Sequence, residues 1–138
     1  MNPLTHLIPI QELLQANNLP FEDLVESNVV FITREQDGKI IGCIGIEKYG
    51  TDGLLRSLAV ADSHKGKGLG KQLLNALCTK SRKEGIQRLH LLTTTADAYF
   101  KRYGFQVRER STAPKAISNT KEFSEICPSS SMYMVKEL

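Results

Sequence analysis

The chain has no tryptophan and only three cysteines. Cys43, Cys78 and Cys127 are widely separated, odd in number and form no CxxC pair. That excludes a disulfide framework and fits free thiols in a reducing compartment. Histidine is as sparse: His6, His64 and His90 follow no HExxH-like spacing, so no metal is expected. No apolar run approaches the ~20 residues of a membrane span. The N-terminal MNPLTHLIPIQELLQ lacks a basic leader and a signal-like apolar stretch. The expectation is a cytoplasmic protein with no membrane partner. Linkers, internal repeats and low-complexity tracts are also missing. Charge of one sign is scarce too: 18 Lys and Arg against 15 Asp and Glu leave +3, too mild for a nucleic-acid binder but suited to an anionic ligand.

What is present is ordinary globular material. A length of 138 residues with 41% hydrophobic and 24% charged residues predicts one domain, 1–138, with a core that needs no staple. Residues 8–17 read as a short helix with Pro9 in its first turn, ended by Asn17-Asn18. Residues 20–26 read as a second short helix. The β-branched and aromatic run 29–35 reads as a strand, Asp37-Gly38 as a hairpin turn, and 39–48 as the partner strand. Gly42 and Gly45 within that partner point to a bulge or a close backbone approach. A third strand, 54–61, completes an antiparallel meander.

The period then changes. Leu69, Leu73, Leu74, Leu77 and Cys78 recur at helical spacing over 69–84, and Gly85 supplies a stop. A strand over 88–93, a short helix over 95–103, a strand over 105–109, an irregular stretch with a helix near 119–126, and a final strand over 131–137 follow. The order predicts an α+β domain with a mixed sheet. The final strand, taken as a free edge, would allow a homodimer.

The stretch richest in chemistry is LAVADSHKGKGLGK, residues 58–71. A strand runs into a loop with Gly66, Gly68 and Gly70 at alternate positions, and the loop opens a long helix. Without a Cβ the backbone can curl around a ligand. The loop amides and the first helical turn then converge on one spot, where the helix dipole adds positive potential. That is a seat for a diphosphate-sized anion, with Lys65, Lys67 and Lys71 around it. Neither common nucleotide loop fits. GxxxxGK[ST] fails because Gln72 follows Lys71, and GxGxxG fails on its last interval and on the missing parallel βαβ order. A plain Gly/Lys surface turn is the competing reading of the loop alone.

The surrounding residues resemble the GNAT family of N-acetyltransferases. Lys65-x-x-Gly68-x-Gly70 matches the family's R/Q-x-x-G-x-G/A motif, with Lys65 departing from Arg or Gln. Ala96, Tyr99, Phe100, Gly104 and Phe105 match its A-x-x-F-[YF]-x-x-x-G-F block. Leu55–Val60 together with Thr93, Thr94 and Thr95 is similar to the acetyltransferase domain of N-acetylglutamate synthases. The tail with Pro114, Ile117, Thr120 and Phe123, then Cys127-Pro128-Ser129, resembles small arsenic-resistance N-acetyltransferases.

The resemblance implies a mostly antiparallel mixed sheet, flanked by helices, splayed between the strand of Val60 and that of Leu92. It implies acetyl-CoA as co-substrate, no metal, and a small-molecule amine as acceptor. By resemblance Leu58, Ala59 and Val60 pair with pantetheine, an amide at Leu58 polarises the thioester carbonyl, and Lys65, Gly66, Lys67, Gly68, Leu69, Gly70 and Lys71 hold the diphosphate. Thr93 and Tyr99 complete the cofactor side, with Thr95 reserved for helix capping and Tyr99 also open to a core or stacking role.

Arg56 is the expected clamp for an acidic amino-acid-like substrate, a glutamate-like amine or a phosphinothricin-like organoarsenical, with Ser57 and Thr94 beside it. Its neighbours by alternation, Leu54 and Leu58, are apolar. Glu47 is the candidate base, acting through water. Leu54 and Phe100 stand where many relatives carry Glu and Tyr, which keeps open a module that binds acyl-CoA without turnover. A protein or peptide N-acetyltransferase is a third reading. Cys43 and Cys78 read as small buried hydrophobes, His64 as a surface residue beside the loop, and His90 as half-buried.

Overall fold

The computed structural model describes residues 3–19, 21, 28–120, 123–124 and 131–138. The first hairpin forms as its turn dictates. Asp37 and Gly38 have φ of 53° and 77°, the paired positive values of a two-residue turn matching the twist of its strands. It joins β1 (Val29–Gln36) to β2 (Lys39–Tyr49), and Gly50-Thr51 carries β2 into β3 (Asp52–Val60). The third strand thus starts at Asp52, ahead of the expected 54, because two residues suffice for the second turn. Then come α2 (Leu69–Lys83), β4 (Arg88–Thr93), α3 (Asp97–Arg102), β5 (Gln106–Arg108), α4 (Lys115–Ser118) and β6 (Met132–Glu137).

The strands form one sheet in the order β1-β2-β3-β4-β6-β5, antiparallel throughout except for β3 against β4. This is the α+β mixed sheet that the sequence predicts. One face packs on α2 and α3 through Ile44, Leu55, Leu73, Leu77, Leu91 and Phe105, among others. The opposite face is covered by α1 (Pro3–Ala16), whose Ile10 and Leu14 meet Cys43 and Ala59. Further along it, Ile117 and Phe123 meet Leu54, Tyr133 and Val135.

Three expectations change. Helix α1 begins at Pro3, which puts Pro9 inside it rather than in its first turn. Pro9 has no N–H for the carbonyl of residue 5, yet the helix continues because Ile10, Leu13 and Leu14 bury behind it. The strand over 131–137 is not an edge: β6 lies between β4 and β5, so the argument for a dimer through it falls. His90 is fully rather than half buried. Gly45, expected at a bulge or a close approach, lies at both: an added Cβ would come within 2.8 Å of Val29, and the β2–β3 register shifts between Cys43 and Gly45. The helix expected over 20–26 lies, apart from residue 21, outside the described residues, as do residues 121, 122, 125 and 126 of the one over 119–126, and Cys127. Among the described residues no helix is long and apolar enough to cross a membrane.

Two buried groups make this fold less stable at alkaline pH. Burial pushes the Cys43 thiol up to about 12 and the Tyr133 phenol up to about 12. Both groups stay neutral in the folded chain at a pH where the unfolded chain ionises them. Their stabilisation is complete below the ordinary values of 9.0 and 10.0 and is lost as pH rises toward 12. Urea midpoints should therefore fall steadily from pH 9 upward. Tyr133→Phe should flatten the part of that decline above pH 10.

Candidate active site

The parallel pair at the centre of the sheet is short. β3 and β4 pair only at Asp52↔Arg88, Gly53↔Leu89 and Leu54↔His90, and beyond that point the strands part. A buried polar chain pins this apex. His90 bridges Asp52 (Nε2 to Oδ1, 2.7 Å) and the Tyr133 hydroxyl (Nδ1 to Oη, 2.7 Å), tying β3, β4 and β6 together. Past the apex the facing edges of Arg56–Val60 and Leu91–Thr93 line a cleft of about 960 Å³.

The wall of that cleft is shaped by an irregularity in β3. Cys43 pairs with Ala59 but Gly45 pairs with Arg56, so β3 carries one residue more than β2 over this span. The extra residue is Ser57, at φ 61°, an uncommon value for a side-chain-bearing residue. The bulge breaks the alternation expected of the strand. Leu54 and Arg56 share one face, but Leu58 turns to the other, where it packs with the α2 side of the core. Cys43 helps hold the bulge by donating its thiol hydrogen to the Ser57 carbonyl at 3.3 Å.

The glycine loop closes one end of the cleft. Gly66 and Gly68 have φ of 79° and 80°, and a Cβ on either would meet no protein atom within 4 Å. Their faces are therefore open to a ligand. Gly68 is the N-cap of α2 without any side-chain cap, and the first helical bond is Gln72 N–H to Gly68 O. The amides of Leu69, Gly70 and Lys71 precede that bond and carry the positive end of the helix dipole. Gly70 is small for a separate reason: an added Cβ would sit 2.8 Å from the Tyr99 hydroxyl. Tyr99 packs edge-on to Phe100 and Tyr103, and burial, with Tyr103 next, holds its phenol above the ordinary value.

Most of the candidate residues meet in this cleft. Ser57, Leu58, Ala59 and Val60 form its β3 wall, Thr93, Thr94 and Tyr99 the opposite one, and Lys65, Gly66, Gly68, Leu69, Gly70 and Lys71 its floor at the loop. Lys65 is also paired with Asp62 at 2.8 Å. Lys67 is exposed and lies off the wall. His64 lines the cleft while its ring nitrogens meet Ser63 and Gln36. The helix α3 has no side-chain cap, so neither Thr93 nor Thr95 caps it; the Thr93 hydroxyl oxygen accepts the Ala96 N–H at 3.0 Å in the turn before the helix. Thr95, directly before the N-cap residue Ala96, is exposed.

Arg56 and Glu47 are held together. Arg56 is among the residues lining the cleft, but its side chain is 0% exposed and lies beneath the surface. It donates from Nη1 to Glu47 Oε2 at 3.1 Å and from Nε to Ser57 Oγ at 3.2 Å. Glu47 Oε1 accepts the Tyr49 hydroxyl at 2.5 Å. Glu47 is buried and off the cleft wall, so a water-mediated base at this position does not match its placement. A buried carboxylate clamped between a guanidinium and a phenol serves to orient the guanidinium.

Several wall residues were not foreseen. Asn17, Asn18 and Leu19 bring the end of α1 to the rim, Arg102 and Tyr103 extend the α3 side, and Ser131 enters from the start of β6. Asn17-Asn18 were legible as a helix stop, and Asn18 indeed takes φ 58°. Nothing local said that this stop would face the cleft.

Comparison with known proteins agrees with this geometry. Residues 5–105 match the family model described as "Acetyltransferase (GNAT) family". An uncharacterized N-acetyltransferase of Chlorobaculum tepidum is 30% identical over 97 residues, covering 70% of this chain and 62% of that protein. An amino-acid acetyltransferase of Ralstonia nicotianae is 34% identical over 85 residues, covering 59% of this chain but 19% of that protein. Among solved structures, N-acetylglutamate synthase from Neisseria gonorrhoeae with coenzyme A and L-arginine superposes at a TM-score of 0.67. It is 28% identical over 78% of this chain and 24% of its own. This chain thus spans about three fifths of the first relative and about a fifth to a quarter of the other two. With the splayed sheet, the bulged strand and the glycine loop all in place, the chain belongs to the acetyltransferase (GNAT) family.

Proposed function

We propose that the chain moves an acetyl group from acetyl-CoA to the primary amine of a small amino-acid-like substrate by direct attack. One observation carries this reading: a single cleft runs from the open Gly66–Gly68 loop along the β3 edge to Arg56, whose buried guanidinium lies just behind the wall. The residues fit coenzyme A. The loop and first-turn amides, with Lys65 and Lys71, suit its diphosphate. The β3 edge past Leu54, which makes no pairing with β4, suits a pantetheine arm. From Arg56 to Val60 is four strand steps, about 13 Å, so the acceptor and the diphosphate would sit at opposite ends.

Each group then has a definable task. The Leu58 amide, next to the bulge, donates to the thioester oxygen and holds the oxyanion as the amine adds, the largest electrostatic contribution in such transfers. Arg56 binds the acceptor's carboxylate, with Thr94 and Ser57 beside it, and so presents the amine. Glu47 and Tyr49 orient Arg56. The free amine attacks directly, so no covalent enzyme intermediate is needed. Water accepts the proton that the amine nitrogen loses as the amide forms and supplies one to the leaving thiolate, since Phe100 cannot protonate it.

Thiol release from acetyl-CoA, followed with a panel of L-amino acids, their amides, phosphinothricin and a peptide, tests the reading. Turnover of glutamate-like acids over their amides is the expected result. Arg56→Lys should raise KM for the acid about tenfold, the weight of one charge-assisted bond, and leave KM for acetyl-CoA within twofold. Peptide-only activity would overturn the acceptor assignment. Binding of acetyl-CoA without thiol release would instead favour the non-catalytic module, the reading that the buried apolar Leu54 and Phe100 support.

A further inference from the structure

Among the described residues only two buried side-chain oxygens have no hydrogen-bond partner, Ser81 Oγ and Ser131 Oγ. Native folds rarely leave such groups orphaned, and each exception asks for a cause. The two differ in place. Ser81 sits on the core side of α2, away from the cleft. Ser131 is 4% exposed and lines the cleft. It directly precedes Met132, which pairs with Thr93. The same register places Ser131 beside Thr94, at the open end of β4. Since Tyr133 covers the sheet face that carries Leu54 and Arg56, alternation puts Ser131 toward that face too. Its backbone is held in position, because Arg110 donates from Nη1 to the Ser131 carbonyl at 3.4 Å and from Nη2 to the Phe123 carbonyl at 2.9 Å. The main chain is tied down while the hydroxyl is left unused.

We infer that the Ser131 hydroxyl is a substrate-specificity contact, donating to a carboxylate oxygen of the amine acceptor on the side of the cleft facing Arg56. This rests on the acceptor reading given above. A neutral O–H donor suits a carboxylate that Arg56 already binds, since a second cation there would have no counter-charge once the site emptied. The unmet hydroxyl is a cost in the free protein that the ligand removes.

The test pairs Ser131→Ala with Ser81→Ala, the same chemical change at the other orphan. Without ligand, both variants should melt a few degrees higher, about 2–4 °C, because each removes an unsatisfied buried hydroxyl. L-Glutamate is the acceptor probe, with the wild type measured first. Ser131→Ala should raise its KM about tenfold, with KM for acetyl-CoA within twofold, and should narrow the preference for glutamate over its α-amide. Ser81→Ala should change neither constant. A lower melting temperature for Ser131→Ala would show a structural hydrogen bond and overturn the inference. So would an unchanged KM for glutamate while the wild type turns it over. No wild-type turnover of glutamate or any other carboxylate-bearing amine would defeat the acceptor reading and this inference together.

Discussion

Gly68→Val is expected to weaken coenzyme A binding by about a hundredfold, the loss of one to two charge-assisted amide contacts. The prediction is sharp because the protein itself has nothing to collide with. A Cβ at this position meets no atom within 4 Å, so any steric effect falls on the ligand. What the fold does feel is the backbone: φ of 80° is a left-handed value that valine resists by about 1–2 kcal/mol. The variant should therefore fold, melt slightly lower, and show little heat with coenzyme A in calorimetry. Gly50→Val is the matched control. Gly50 has φ 64° and equally open surroundings but lies in the β2–β3 turn, so it should share the strain and keep the affinity. Equal losses in both variants would mean that strain, not ligand contact, explains the effect. Undiminished affinity in Gly68→Val would remove the loop from the diphosphate site.

The second large effect concerns the ion pair under the cleft. Glu47→Ala should cost about 3–5 kcal/mol, because it breaks a buried ion pair by removing one of its partners. The side chains are 0% and 4% exposed, so water cannot take over. For a domain of this size that corresponds to a fall in melting temperature of roughly 10–15 °C. Glu47→Leu combined with Arg56→Met should recover most of the stability, since two apolar side chains of similar volume need no pairing. The double variant should nevertheless fail to bind an acidic acceptor. A fold restored without acceptor binding would separate the two roles of Arg56. If Glu47→Ala were as stable as wild type, Glu47 would not be the group that holds the buried guanidinium in place.

The chemistry-bearing segment was readable in one dimension because its parts are local. A strand, a glycine loop and a helix start follow one another within residues 58–71, and a loop's curl depends on its own φ values. The hairpin at Asp37-Gly38 and the helix over 69–83 were legible for the same reason. Leu58 was not placed correctly by alternation. Period-2 reasoning put Leu54, Arg56 and Leu58 on one face, and the bulge at Ser57 moved Leu58 to the other. Such a bulge is a property of the pairing between β2 and β3, so β3 alone carries little trace of it. The Glu47–Arg56 pair was hidden likewise: nine residues apart, the two meet only because the β2–β3 hairpin brings Gly45 opposite Arg56.

What the amino-acid order determined by itself was the family pattern, the α+β element order and the anion-seating loop, all built from neighbours in the chain. What only the folded sheet decided was the cleft. β3 and β4 part after three pairs, β6 inserts between β4 and β5, and the end of α1, Arg102 and Ser131 arrive at one opening. These are long-range contacts selected by burial of both sheet faces. Burial free energy depends on which surfaces meet, and that is not written at any single position.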